Sequence, residues 1–265
     1  MADFKVTRYR IRIEEGQHGP ETPFSAVFLS DLHNASYGED NSRLLQEIRG
    51  ANPEAVFVSG DMITASKEPQ MDVALALMSE LTKQFPVYYV NGNHETRLKE
   101  SEDEAENYYE SFAVAIRACG VHLLENFSEQ IEIHRMRMNI SGLELPGDYY
   151  NRLRKHELTK EKIEELIGRS DGSAYQILLA HHPSYFEVYA AWGADLTLSG
   201  HLHGGIIRLP FLGGIVSPQI ALFPKYDRGL YTKNEKKLIV SAGLGNHTVN
   251  LRINNPPELI VLDFI

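Results

Sequence analysis

The sequence predicts an α/β protein with parallel strand pairing, and two observations carry that prediction. Short apolar runs alternate with helical patterns over the first hundred residues, and five such runs along the chain end directly in polar, metal-competent residues. Ala26-Val27-Phe28-Leu29-Ser30 ends in Asp31-Leu32-His33, and Ala55-Val56-Phe57-Val58-Ser59 ends in Gly60-Asp61. Val87-Tyr88-Tyr89-Val90 leads into Gly92-Asn93-His94-Glu95. Gln176-Ile177-Leu178-Leu179-Ala180 ends in His181-His182-Pro183, and Leu196-Thr197-Leu198-Ser199 ends in Gly200-His201-Leu202-His203-Gly204-Gly205.

Runs of this length, rich in β-branched and aromatic residues and bounded by Gly or Pro, read as buried strands. Between the first three lie helical patterns. Asn41 or Ser42 is placed to cap a helix carrying Leu44, Leu45 and Ile48, and Val73, Leu77 and Leu81 mark a second helix after Pro69. Strand, helix, strand, helix implies parallel pairing, and ligands of such sheets bind beyond the carboxyl ends of the strands. All five polar clusters fall at those ends.

The stretch from Thr96 to Tyr175 is less regular. Ser101 with Glu104 forms a capping-box pattern opening an acidic helix towards Cys119. Val121 to Leu124 and Gln130 to Ile140 read as strands. Residues 144–172 are polar and helix-prone, with Arg152, Arg154 and Lys155 together; a solvated surface helix is the plain reading, a rim or cap over the site the functional one. The apolar runs Leu238-Ile239-Val240 and Leu259-Ile260-Val261-Leu262 are expected to complete a second sheet. No repeat or linker divides the chain, so residues 1–265 are read as one domain.

Composition narrows the function classes. Of 265 residues, 43% are apolar and 23% charged, the balance of an ordinary globular protein. The net charge of −10 disfavours nucleic acid as a partner, although two divalent cations would reverse the sign of an acidic pocket. Cys119 is the one cysteine, so no internal disulfide forms; at a helix end beside Gly120 it reads as a buried, inert thiol. A serine hydrolase is excluded by the lack of a G-x-S-x-G elbow. No apolar run approaches the roughly 20 residues that cross a bilayer, and the N-terminus lacks the apolar core of a secretory signal. A cytoplasmic protein is therefore expected, with membrane association if an anchor has been removed.

The chemistry lies in the clusters. Two divalent ions side by side need oxygen and imidazole donors with at least one shared anionic oxygen. In D-x-H and H-x-H the two donors point the same way if the segment is extended, because alternate residues of a strand share a face. Gly60, Gly92, Gly200, Gly204 and Gly205 let the backbone turn sharply beside each cluster. Taken singly these signals are weak, since a lone histidine in an apolar strand is usually a core residue; the ordered set of five is specific.

Ser30-Asp31-Leu32-His33, Gly60-Asp61, Gly92-Asn93-His94-Glu95, His181 and Gly200-His201-Leu202-His203 resemble the successive motifs of the calcineurin-like metallophosphoesterase superfamily. The flanks Arg208-Leu209-Pro210-Phe211 and Arg252 to Glu258 resemble its bacterial YkuE/YaeI-type branch. The resemblance implies two packed mixed β-sheets flanked by helices, a four-layer αββα sandwich, with a binuclear metal site at the carboxyl ends of the strands. It implies that Asp31, His33 and His203 hold one ion, Asn93, His181 and His201 the other, and that Asp61 bridges them. Many relatives read G-H-T-H-G-G-Q where this chain has Leu202 and Ile206, which puts polar support or substrate contact at those two places in doubt.

The function expected is hydrolysis of a phosphodiester or pyrophosphate bond by a water or hydroxide bridging two ions. A phosphomonoesterase with the same site and a non-catalytic metal-binding scaffold are the alternatives. His94 directly follows a ligand and is assigned to catalysis, as a group partly protonated near neutral pH that protonates the leaving group or stabilises the transition state. Of the adjacent His181 and His182, family alignment favours His181 as ligand; His182 then packs away or hydrogen-bonds a neighbour. Glu95 is expected to brace a ligand imidazole, with a helix-initiating acid as the alternative. Asn34 and Arg97 adjoin the motifs and could touch substrate phosphate, with a plain loop role as the alternative for each. Gly245-Asn246-His247 echoes the earlier G-N-H, while His18, His122, His134 and His156 read as surface or hairpin residues. Imidazole with carboxylate and amide suits manganese, iron or zinc. The substrate expected is a small or lipid-linked phosphate ester, with no stable protein partner implied.

Overall fold

Fourteen strands and six helices make up the described part of the chain, which in this computed structural model comprises residues 3–13, 19–101, 107–151, 156–170, 172–205, 207–209, 213–216, 224–246 and 252–265. Arg152, Arg154, Lys155, Ile206, His18, His247 and Glu104 lie outside the described residues.

The first half lays down most of one mixed sheet. Strands β1 (Lys5–Ile11), β2 (Phe24–Leu29), β3 (Ala55–Val58), β4 (Val87–Tyr89) and β5 (His122–Leu123) belong to it. Helices α1 (Ser42–Gly50), α2 (Asp72–Thr82), α3 (Asn93–Lys99) and α4 (Tyr108–Ala118) lie between them. The second half contributes β6 (Phe127–Ile133), β7 (Met136–Leu143), α5 (Lys160–Ile167), β8 (Tyr175–Ala180), α6 (Phe186–Trp192) and β9 (Leu196–Ser199). A two-stranded ribbon, β10 (Ile207–Leu209) with β11 (Gly213–Val216), precedes β12 (Gly229–Lys233), β13 (Lys236–Val240) and β14 (Glu258–Phe264).

Two six-stranded sheets result, ordered β1-β14-β2-β3-β4-β5 and β12-β13-β9-β8-β7-β6. β2 through β5 pair in parallel, as do β7, β8, β9 and β13; β14 runs antiparallel to β2, and hairpin strands β6 and β12 close the second sheet. Strand alternation sorts the core into layers. Ala26, Phe28, Phe57, Ile260 and Leu262 meet Met138, Ile177, Leu179, Leu198 and Ile239 between the sheets. Val27, Leu29, Val56, Val58 and Val261 face outward onto α1 and α2 through Leu44, Ile48, Leu77 and Leu81. Leu178 and Ala180 face outward onto Ile163 of α5 and Tyr189 and Trp192 of α6. Helix, sheet, sheet, helix is the four-layer arrangement expected.

Five local expectations change. Gln130 to Ile140 is a hairpin rather than one strand: His134 and Arg135 take φ of 48° and 64°, both left-handed, as a tight two-residue connection requires. The two C-terminal apolar runs part company, β13 joining the second sheet and β14 entering the first between β1 and β2. Helix α4 begins at Tyr108, where the Asn107 side chain accepts from Glu110 N–H, and not at Ser101. Asn41 does not cap α1 with its side chain, because its Oδ1 accepts from Tyr37 N–H at 2.9 Å. Cys119, at the end of α4, is half-buried rather than buried.

Candidate metal centre

The carboxyl ends of β2, β3 and β4 from one sheet and of β8 and β9 from the other open onto a common place. Neighbouring strand ends stay hydrogen-bonded within each sheet, and the two sheets meet where Gly200 lies against Ser30. Asp31 N–H donates to the Gly60 carbonyl at 2.9 Å, and Gly200 N–H to the His181 carbonyl at 3.1 Å. A Cβ on Gly200 would stand 1.9 Å from Ser30 Oγ, so only glycine lets β9 end against β2.

The spacing of the donors works differently from the extended-strand expectation. Asp31, His33, Asp61, His201 and His203 have φ of 52°, 46°, 53°, 72° and 50°, all in the left-handed region. Each non-glycine residue held there costs on the order of 1–3 kcal/mol, and such residues gather at functional sites. The side chains converge because the chain turns at each of them.

Five segments bring the donors together. Asp31, His33 and His203 each offer one donor atom within 4.8 Å of the others. Asp61, His181 and His201 do the same, and so do His33, Asp61 and His94. The groups touch, since His33 Nε2 lies 3.2 Å from His203 Nε2 and 3.8 Å from Asp61 Oδ2. His203 Nε2 is 3.3 Å from Asp31 Oδ1, and His181 Nε2 is 3.1 Å from Asp61 Oδ2. Apart from the half-buried His33, all are buried.

Two observations test whether this set suits cations. His181 Nδ1 donates to the Ser59 carbonyl at 2.5 Å, which leaves Nε2 of a neutral ring as a lone pair facing a carboxylate oxygen. Asn93 Oδ1 is a buried acceptor with no hydrogen-bond donor. Acceptors that converge without donors are what a positive ion needs, and mixed oxygen and imidazole donors suit a divalent transition metal. The residues fit.

Electrostatics tell the same story for the metal-free chain. Burial raises Asp31 to about 6; His181 pulls it down, and Asp61 pushes it up. Burial works against His181 as well, yet Asp61, Asp31 and the Ser59 carbonyl raise it to about 9. Burial likewise opposes ionisation of Asp61, but the imidazoles of His181, His94 and His33 hold it well below the usual carboxylate range. A proton on His181 thus stands in for a cation beside Asp61. His201, buried beside His182 and His181, is pushed well below its ordinary value.

Residues around the donors hold them in place. Ser59 Oγ donates to Ser30 Oγ at 3.1 Å, and Ser30 Oγ to Asp31 Oδ2 at 2.5 Å. His201 N–H donates to both Asp31 oxygens, at 3.0 and 3.1 Å. Glu95 differs from its expectation: it braces backbone and no imidazole. Its Oε2 accepts from Asp61 and Gly92 N–H at 2.9 and 3.0 Å, and its Oε1 from Met62 and Ile63 N–H at 2.9 and 3.3 Å and from Tyr89 Oη at 2.8 Å. Burial, then the neighbouring Asp61, raise Glu95 to about 7 against the pull of those donors.

His94 Nδ1 accepts from Ala65 N–H at 2.9 Å, while the backbone N–H of His94 donates to Asp61 Oδ1 at 2.8 Å. His182 lies beside the donors, its Nδ1 accepting from Ser184 N–H at 3.4 Å and its ring 4.6 Å from that of His201. Asn34 (φ 58°) has a buried Oδ1 without a donor, and Arg97 is exposed on α3. Leu202 is buried.

Three supports escaped the sequence reading. Tyr150, from the 144–172 stretch, stacks on His182 at 5.3 Å and meets His201 edge-on at 5.1 Å. Arg252 donates to the Ala242 carbonyl at 2.7 Å and approaches His203 Nδ1 at 3.3 Å. Asn255 Nδ2 donates to the carbonyls of His203 and Gly205. Only the resemblance of the Arg252 to Glu258 flank hinted at the last two.

Comparison with known proteins agrees with the geometry. The model of the calcineurin-like phosphoesterase family matches residues 24–205, more than half of the chain. The chain belongs to this family. It is 24% identical to the metallophosphoesterase YkoQ of Bacillus subtilis (strain 168), over 97% of this chain and 89% of that protein. It is 26% identical to YkuE of the same organism, over 97% and 84%. The phosphodiesterase YaeI of Escherichia coli (strain K12) is 23% identical over 99% of this chain and 88% of its own. Among solved structures, the NAD nucleotidase NadN of Haemophilus influenzae superposes with a TM-score of 0.50, at 13% identity over 84% of this chain and 45% of its own, a likeness of fold. This phosphoesterase is therefore a hydrolase acting on phosphate esters, with Asp and His groups that could hold divalent metal ions. Among the described residues, no helix is long and apolar enough to cross a membrane.

Proposed function

We propose that the chain hydrolyses a phosphodiester or pyrophosphate bond at two divalent ions. Asp31, His33 and His203 hold one ion, Asn93, His181 and His201 the other, and Asp61 is shared. The observation that carries this reading is the pair of adjoining donor groups, one of them containing His181 Nε2 set 3.1 Å from Asp61 Oδ2. When bound, the ions supply positive charge to the phosphate oxygens and make a water acidic enough to attack near neutral pH.

The chain's own groups do the rest. The Ser59–Ser30–Asp31 relay and Glu95 fix the two aspartates before substrate arrives, so little reorganisation accompanies reaction. As the new O–P bond forms and the ester P–O bond breaks, the leaving oxygen gains negative charge. Because Nδ1 of His94 accepts from Ala65 N–H, the proton of the neutral ring sits on Nε2, where it can donate to that oxygen. Burial pushes His94 below its ordinary pKa, with Asp61 opposing and Arg97 and His181 adding to the shift. That favours a neutral hydrogen-bond donor over the imidazolium acid expected from sequence. Asn34 is a candidate contact to the phosphate, its buried side-chain amide adjoining His33.

Manganese, iron and zinc all match the donors. The test is a panel of phosphomonoesters, diesters and pyrophosphates assayed with added Mn²⁺. Diesters or pyrophosphates should give the highest kcat/KM, activity should vanish on chelation and return with Mn²⁺, and Asp61→Asn should abolish it. Turnover that survives chelation, or confined to monoesters, overturns the reading.

A further inference from the structure

A cavity of about 270 Å³ opens beside α3 and is lined by Ala65, Ser66, Lys67, Arg97, Leu98, Ser101 and Tyr108. Its wall is continuous with the metal centre. The segment 64–67 starts at Thr64, whose Oγ1 lies 3.2 Å from His33 Nδ1, passes Ala65, which donates to His94, and runs outward through Ser66 and Lys67. On α3, Arg97 and Leu98 follow His94 by three and four residues and so share its side of the helix. The cavity therefore lies on the His94 side of the centre, where the leaving oxygen departs.

Among the described residues its lining carries only positive charge. The chain carries a net charge of −10, yet two exposed cations, Lys67 and Arg97, line this one space. Among the described residues neither makes an ion pair, whereas Lys83, Lys99, Arg117 and Lys236 all do. Ser66, also exposed, adds a hydroxyl. At about 30 Å³ for each water, the space holds a group of roughly nine heavy atoms, the size of a small polar headgroup.

From this we infer that the alcohol released by hydrolysis carries a second anionic group, a phosphate or a carboxylate, which Lys67 and Arg97 bind in the cavity beyond His94. The inference rests on the phosphodiester form of the proposed hydrolysis, because a pyrophosphate releases a phosphate and no alcohol. It makes the two cations determinants of leaving-group specificity.

The experiment compares three synthetic diesters that share one retained group and differ in the released alcohol: uncharged, carboxylated or phosphorylated. The wild-type chain should prefer an anionic alcohol by tenfold or more in kcat/KM. The double variant Lys67→Ala, Arg97→Ala should reduce that preference by at least tenfold, and Arg97→Glu should reverse it. The carboxylated and phosphorylated arms show which anion the cavity takes. The inference is overturned if the ratio between anionic and uncharged substrates is the same in wild type and every variant, even where absolute rates fall. If no diester is cleaved, the phosphodiester reading of the proposed function fails, and binding decides this question separately. Glycerol phosphate should then bind the chelated protein and bind the double variant at least tenfold more weakly. Equal binding to both proteins overturns the inference.

Discussion

Glu95→Gln changes one atom in the site's surroundings and should loosen the whole Asp61 loop. The carboxylate of Glu95 is the acceptor for four backbone N–H groups, those of Asp61, Met62, Ile63 and Gly92, and for Tyr89 Oη. It is fully buried, so water cannot replace a lost acceptor. An amide can present only one oxygen. The cheaper orientation keeps that oxygen towards Asp61 and Gly92 and turns the NH₂ towards Met62, Ile63 and Tyr89. The tyrosine hydroxyl can rotate to accept from it. Met62 N–H, at 2.9 Å, and the weaker Ile63 contact, at 3.3 Å, cannot. One full and one weak buried donor left unmade should cost about 2–4 kcal/mol. Urea unfolding in the presence of chelator measures this: the midpoint should fall with the slope unchanged. Because Asp61 is held through its own N–H, metal affinity should also drop roughly 10- to 100-fold in a competition titration. A Gln variant with the wild-type midpoint and wild-type metal affinity would refute the bracing role and leave Glu95 as an ordinary acid in the first turn of α3.

Other expectations follow from the same geometry. His94→Ala should keep its metal content, read by elemental analysis, while kcat falls about a hundredfold or more; full activity removes His94 from the reaction. Metal affinity should rise with pH: the His181 proton must leave before a cation can take its place, so between about pH 6 and 9 each unit downward should weaken binding about tenfold, and below about 6 Asp31 protonation should steepen the slope. An affinity flat across that range contradicts the His181–Asp61 assignment. Gly60→Ala should destabilise the fold severely, because Gly60 has φ of 83° and the new Cβ would stand 2.1 Å from Gly92 N. A soluble variant with wild-type thermal stability would show that the β3–β4 crossing can relax.

The parts that could be read from the sequence were those coded by local pattern. A strand end shows where an apolar run stops, and residues such as Asp31, Asp61 and His181 sit at such stops. The hairpin at His134-Arg135 stayed hidden because neither residue is the Gly or Asn that announces a left-handed turn. Sheet membership of β13 and β14 was not legible either, since both are plain apolar runs and their partners, β9 for one and β1 and β2 for the other, lie 40 to 250 residues away. Glu95 looked like a partner for imidazole because carboxylate–imidazole pairs are the common case. Its actual partners are backbone groups, which carry no sequence signature. Tyr150 and Asn255 act only through tertiary placement.

The left-handed residues connect fold and chemistry. Asp31, His33, Asp61, His201 and His203 each occupy a conformation that costs on the order of 1–3 kcal/mol, and the buried carboxylate of Asp61 is close enough to oppose ionisation of Asp31. Nothing in packing alone calls for that concentration of strain and like charge at the meeting edge of two sheets that are otherwise regular and apolar. A cation placed among these donors turns both costs around. It makes the strained directions the ones that point at it, and it converts the repulsion between carboxylates into shared attraction. Ions that bind the folded chain alone add RT ln(1 + [L]/Kd) to its stability, about 4 kcal/mol at a thousandfold excess over Kd. On this argument the loops are shaped by what they hold, and the metal-free protein is the strained member of the pair.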